Sequence, residues 1–120
     1  MDKWFAPNAG PVTVKRAKIS AASNAAAGNT LIAAVAGKRI HVLSAFVMAA
    51  GDVTATFYTD AADEGTALTG ALSLGANGGF AWPNPPHPAL APIRTDAGEA
   101  LTMLLSAAVQ VSGWITYFEG

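Results

Sequence analysis

Cysteine is absent and charge is scarce in this chain. Without cysteine there is no disulfide framework, no thiolate metal site and no thiol nucleophile, so stability has to come from packing or assembly. Lys and Arg number 7 against 8 Asp and Glu, a formal net charge of −1. That balance lacks the basic excess that binding a phosphate backbone requires, which argues against DNA or RNA as a partner. No apolar run approaches the roughly 20 residues of a membrane span. No continuous apolar segment follows the opening Met1-Asp2-Lys3-Trp4-Phe5-Ala6-Pro7, so the expectation is a protein made in a cytosol with no membrane partner. The Ala-rich stretch from Ala21 to Ala36 is broken by Ser23, Asn24, Gly28, Asn29 and Thr30 and reads as a loop running into a strand.

What is plentiful is apolar surface. Hydrophobic residues make up 52% of the chain and charged ones 12%. In a chain of 120 residues the surface is large relative to the volume, and the polar side chains are too few to cover it. Burial of apolar patches against subunits or partners is therefore expected. The length fits one domain, read as an arm over residues 1–11 and a folded unit over 12–120 with a proline-rich surface loop at 82–92.

The periodicity is that of strands. From Asp52 to Asp60, Val53, Ala55 and Phe57 alternate with Thr54, Thr56 and Tyr58, the period of two of a half-buried strand. Between Lys38 and Met48, Ile40, Val42, Phe46 and Met48 fall on one face and Leu43, Ala45 and Val47 on the other. A strand apolar on both faces belongs in the middle of a sheet. With Thr30 to Val35 before it, this region reads as a meander. Leu68, Leu72 and Leu74 mark a further strand, and Gly75-Ala76-Asn77-Gly78-Gly79 supplies the residues that reversals with positive φ need. Val12 to Ser20, Ala100 to Ser106 and Gln110 to Glu119 complete the series, the last with Val111, Ile115 and Tyr117 opposite Trp114 and Phe118. About eight strands with turn signals every 8–12 residues predict an all-β, antiparallel sandwich of jelly-roll type. Trp82-Pro83-Asn84-Pro85-Pro86-His87-Pro88 cannot supply ladder donors and is expected to be an extended surface loop.

The residues that carry chemistry do not assemble into a catalytic motif. His41 stands alone in an apolar strand and His87 lies between prolines, without the clustered ligands of a jelly-roll metalloenzyme. Asp60, Asp63 and Glu64 read as a solvated turn rather than a calcium loop. Asp96 and Glu99 flank a turn glycine, and no Gly-x-Ser-x-Gly elbow is present. The expectation is a protein that is not an enzyme and takes no metal or other cofactor. Lys15, Arg16 and Lys18, with Lys38 and Arg39, read as a solvated edge protected from pairing by its lysines, with a patch that meets an acidic partner or a nucleic acid backbone as the alternative. Among the aromatics, Phe46, Phe57, Trp114 and Phe118 read as core or subunit-interface residues. Trp4, Phe5 and Trp82, outside the ladder, are the candidate partner-binding anchors, because large rigid rings contribute much of the energy at protein interfaces. The competing reading folds each of the three back over the end of the sandwich. A sugar-stacking platform at Trp82 is a third.

From about Thr13 to Glu119 the order of short phrases resembles that of small tailed-phage structural proteins. Those phrases are Asn29-Thr30-Leu31-Ile32-Ala33-Ala34-Val35-Ala36-Gly37-Lys38-Arg39-Ile40, Leu43-Ser44, Leu68-Thr69-Gly70, Ala76-Asn77-Gly78-Gly79, Ala97-Gly98-Glu99-Ala100-Leu101 and Val111-Ser112-Gly113, after a Val14-Lys15-Arg16 start. The resemblance implies a head decoration, or capsid cement, protein. Such a protein is a β-sandwich, often a homotrimer, that sits on the outer surface of the virion's capsid, binds the major capsid protein and bridges its subunits. The alternative on the same sandwich is a receptor- or carbohydrate-binding module of a phage tail or fibre.

Overall fold

The computed structural model describes residues 3–6, 10–85 and 91–120, with side chains from residue 13 onward. His87 and the side chains of Trp4 and Phe5 lie outside the described residues. The chain is all-β. Its strands are β1 (Lys3–Ala6), β2 (Gly10–Thr13), β3 (Lys15–Ala21), β4 (Asn29–Ile32), β5 (Ile40–Ala49), β6 (Val53–Thr59), β7 (Thr66–Ala67), β8 (Leu72–Leu74), β9 (Gly79–Trp82), β10 (Ile93–Arg94), β11 (Leu101–Leu105) and β12 (Val111–Glu119).

β1 and β2 pair with each other as an antiparallel hairpin, so the segment expected to be an unpaired arm has a ladder of its own. The other strands form two antiparallel sheets. In one, β9 and β10 lie end to end along one edge of β5, followed by β12 and β3; in the other, β7 and β8 lie along β6, followed by β11 and β4. Reading β7/β8 and β9/β10 as one position each, the chain alternates between sheets in the order of a jelly roll, with successive strands in opposite sheets except at the β6–β7 hairpin.

This alternation corrects the expected meander. β4, β5 and β6 do not pair with one another: β4 and β6 flank β11, and β5 pairs with β12. Turn residues reveal a reversal, but not whether the chain returns to the same sheet or crosses to the opposite one. Here crossing lets consecutive apolar faces meet in one interior. Three crossings are laced together at one end. The Asn77 N–H donates to the Ala49 carbonyl at 2.8 Å, Ala49 N–H to Gly78 at 2.8 Å and Ala50 N–H to Gln110 at 2.9 Å, while the Asp52 carboxylate accepts from Ala76 N–H at 3.0 Å. Asn77 takes the expected positive φ, 60°.

Between the sheets lie Ile19, Ile40, Val42, Ala45, Val47, Phe57, Leu101, Met103, Leu105, Val111 and Ile115, all essentially inaccessible to solvent. Two buried threonines tie the β10–β11 crossing to this core. Thr95 Oγ1 accepts from Ile40 N–H at 2.9 Å, and Thr59 Oγ1 donates to Glu99 Oε1 at 2.7 Å while accepting from Asp96 N–H at 2.8 Å. Phe57 anchors the centre as alternation predicts.

The faces of β5 differ from the simple alternation. Thr116 of β12 stands opposite Ser44 and Tyr117 opposite Val42, so Leu43 is an inserted residue that shifts the phase of the strand. Ile40 and Val42 therefore face inward together with Ala45, Val47 and Ala49, and Phe46 and Met48 face outward. The expectation that Phe46 and Met48 share a face with Ile40 and Val42 fails for this reason: a period of two is preserved on each side of a bulge and broken across it.

Candidate functional site

The two sheets present very different outer faces. On the β6 sheet the outward positions of the central strands are the half-buried Thr54, Thr56, Tyr58 and Leu104 and the buried Thr102, whose hydroxyl donates to the Asp60 carbonyl at 2.6 Å, so the face is mostly hydroxyl-bearing. The β5 sheet carries a registered row, Lys18 opposite Trp114, Trp114 opposite Phe46 and Phe46 opposite Ala81, all outward. The next row is Ser20, Ser112, Met48 and Gly79. Phe46 is 38% and Met48 45% exposed, a level of exposure uncommon for side chains of this size and polarity.

This cluster is organised by specific contacts. The Phe46 and Trp114 rings stack with centroids 6.3 Å apart and planes 27° from parallel. The Arg16 guanidinium lies 4.9 Å from the Trp114 ring centroid, in cation–π contact. Arg16, Lys18 and Trp114, with Ala17 and Gly113 at its floor, outline a shallow surface hollow. Gly113 makes the close approach possible. Its φ is 154°, and a Cβ there would sit 1.7 Å from the Phe46 carbonyl oxygen, so no other residue fits without moving β12 away from β5.

The other half of the same face is closed. Leu43 and Phe118 are buried yet do not belong to the cluster between the sheets. His41 stacks on Phe118 with centroids 4.3 Å apart and planes 2° from parallel, and its Nε2 is 3.3 Å from the Gly120 carbonyl. Burial, reinforced by the nearby Arg94 and Arg39 charges and opposed by the Gly120 contact, holds the His41 imidazole below its ordinary pKa of 6.5. Thr116 Oγ1, hydrogen-bonded to Ser44 Oγ, donates to Asn84 Oδ1 at 3.3 Å. Asn84, in the segment after Trp82, thus meets the outer side of β12 at this point, and among the described residues nothing covers the exposed Phe46 and Met48 beyond it.

Of the candidate anchors, Trp82 is placed in strand β9 rather than in the proline loop. Its register partner is the inward Ala45, and its ring packs edge-on against Phe57 at 5.8 Å and stacks on Phe80 at 5.2 Å. Its indole N–H is buried with no hydrogen-bond partner among the described residues, so apolar packing holds the ring there. Trp4 lies on β1 and pairs in register with Val12, and Phe5 pairs with Pro11. The structure does not bring the described Trp82 together with the outer cluster.

The basic residues divide similarly. Lys15 pairs with Glu119 at 2.5 Å, and Arg39 lies 3.7 Å from Asp96. Arg16 and Lys18 point outward from the edge strand β3 beside Trp114, and Arg94 points outward beside His41. The Asp60–Gly65 turn is solvated at Asp63 and Glu64, and Asp60 takes φ 68° to make it. Among the described residues no group of three or more His, Asp or Glu side chains is arranged to hold a metal ion.

Sequence reading named Phe46 and Trp114 as core or subunit-interface residues but did not join them with Arg16, Lys18 and Met48 into one site. Its parts come from three strands far apart in the chain, and only the phase shift at Leu43 turns two of its members outward. The Leu43-Ser44 break in polarity was the one local signal for that shift. No protein-family model, curated protein or solved structure matches the chain.

Proposed function

We propose that the chain is a decoration protein of a tailed-phage head, which binds the outer surface of the capsid and stabilises it by bridging neighbouring major capsid subunits. The observation that carries the binding role is the outer face on which Phe46 and Met48 are exposed and Trp114 is half-buried beside Arg16 and Lys18, opposite a sheet whose outer face is largely threonine. Aromatic residues, Met and Arg are the types enriched where protein surfaces meet, and Trp and Arg dominate the energy there. The assignment to a phage head rests on the order of phrases from Asn29 to Gly113 and on the jelly roll that carries them.

The work of such a protein is mechanical. A sandwich tied at its crossings by buried hydrogen bonds is a stiff strut, and each copy adds one modest interface to the shell. Many copies held on one lattice sum those interfaces into resistance to internal pressure. The test is to mix the purified chain with empty shells of the major capsid protein from the same source genome. Co-sedimentation, a rise in the rupture temperature of the shells and an oligomeric, trimeric state in solution are expected. A strict monomer that leaves the shells unbound overturns the proposal.

A further inference from the structure

The docking surface and the chemistry of its partner follow from how charge is distributed over the uncovered face. At the outward register positions of β3, β5, β9, β10 and β12 the charged residues are Arg16, Lys18 and Arg94, and the half-buried His41 lies beside Arg94; no carboxylate occupies an outward position on these strands. Lys15 and Glu119, the other charged pair of the sheet, neutralise each other at its end. The face is therefore positive in a chain whose net charge is −1.

We infer that the Trp114–Phe46–Met48 face, flanked by Arg16 and Lys18, docks an acidic protein surface that offers an apolar centre to the rings and carboxylates to the two cations. The inference rests on the proposed function and names the surface and partner chemistry for it. A second copy meeting this face with its own would bring guanidinium and ammonium groups of one sign together around a desolvated centre, which is unfavourable. A nucleic acid would find only three cations in reach, a weak electrostatic hold on a phosphate backbone, and would leave Met48 and Phe46 without use. Carboxylates around an apolar patch satisfy every element of the face. They meet Arg16 in its fork geometry beside Trp114 and bury the two large side chains that the fold leaves in water.

The experiment uses the full chain and empty shells of the major capsid protein from the same source genome. Hydroxyl-radical footprinting of the unmodified protein bound to shells is expected to protect Met48 and Trp114 and to leave Tyr58, on the opposite face, as reactive as in the free chain. Phe46→Ser and the pair Arg16→Glu with Lys18→Glu are expected to weaken binding by about 30-fold or more, the loss typical of residues at the centre of an interface. Thr54→Glu with Thr56→Glu, on the other sheet, should leave binding within about twofold. Wild-type affinity should fall with added salt. If the unmodified chain binds shells but Tyr58 is protected and Met48 is not, the docking surface is wrong and the decoration role stands. If the unmodified chain binds no shells, the role and the partner fall together. If it binds an oligothymidylate strand with quenching of tryptophan emission and ignores the shells, the partner is a nucleic acid and the inference is overturned.

Discussion

At the scale of single residues, two glycines separate backbone conformation from steric fit. Gly37 has φ 73° with nothing within 4 Å of where a Cβ would be, whereas at Gly113 the same atom would lie 1.7 Å from a backbone oxygen. Gly37→Ala is expected to cost only the left-handed backbone penalty, about 1–2 kcal/mol. Gly113→Ala must also separate β12 from β5 and should cost clearly more, in the range of severe core substitutions at about 3 kcal/mol or above. Urea denaturation of the two variants checks the order, and equal losses would remove the argument that Gly113 permits the close pairing beside Trp114. Neither difference was visible in the sequence, where both residues sit in plausible turn or strand contexts.

His41 yields a pH dependence whose sign is fixed by its burial. Its folded pKa lies below the ordinary 6.5, so between those values the unfolded chain binds the proton that the folded chain refuses. Its contribution is fully present above about pH 6.5 and is lost as pH falls through the window beneath it. His41→Phe keeps the stack on Phe118 without a titrating group. Melting temperatures at pH 7.5 and pH 5.5 should fall further for the wild type than for this variant, and parallel falls would show that His41 does not contribute. The sequence placed His41 correctly as an isolated imidazole in an apolar strand, but the Phe118 partner came only with the register of β12.

At the scale of elements, β5 shows where pattern reading succeeds and where it stops. Its length, its central place in a sheet and its turn at Ala49–Asp52 were legible, because they depend on composition and local chemistry. Its faces were not, because the insertion at Leu43 is defined by which residues of β12 stand opposite, and its one local trace, the polarity break at Leu43-Ser44, does not say which way the phase moves. The strands β6 and β12, free of such an insertion on their inward positions, keep the alternation read from them. β9 was hidden because Trp82 was grouped with the prolines that follow it. The phase assignment is open to a direct comparison. Val47→Thr puts a hydroxyl into the interior and should cost about 1–3 kcal/mol, while Phe46→Thr gives up a partly exposed ring and its stack on Trp114 for a good strand former and should cost no more than about 1 kcal/mol. Uninterrupted alternation from Ile40 makes Phe46 a partner of the core residues Ile40 and Val42 and predicts a large loss at Phe46 instead. Thermal denaturation of the pair decides between the two phases.

At the scale of the whole molecule, the topology makes the last strand indispensable. β12 lies between β5 and β3, pairing with Ile40–Ala49 on one side and Lys15–Ala21 on the other. It also supplies Val111 and Ile115 to the interior and Trp114 to the outer face beside Phe46 and Lys18. A chain ending at Gln110 would leave two long strands of one sheet unpaired along facing edges and open the core of both sheets, a loss far beyond the 5–15 kcal/mol that holds a typical domain together. Such a truncation is expected to be unfolded by circular dichroism rather than partly folded. The same dependence on distant pairing predicts a single cooperative transition for the full chain, since neither sheet can bury its apolar face without the other, and slow folding, on the order of milliseconds to seconds. Coincident denaturation curves from far-ultraviolet dichroism and tryptophan emission check the cooperativity. Separate transitions would mean that the β6 sheet holds its shape alone, and the interlaced crossings at Ala49, Asn77 and Gln110 would then not be what joins the two sheets into one folding unit.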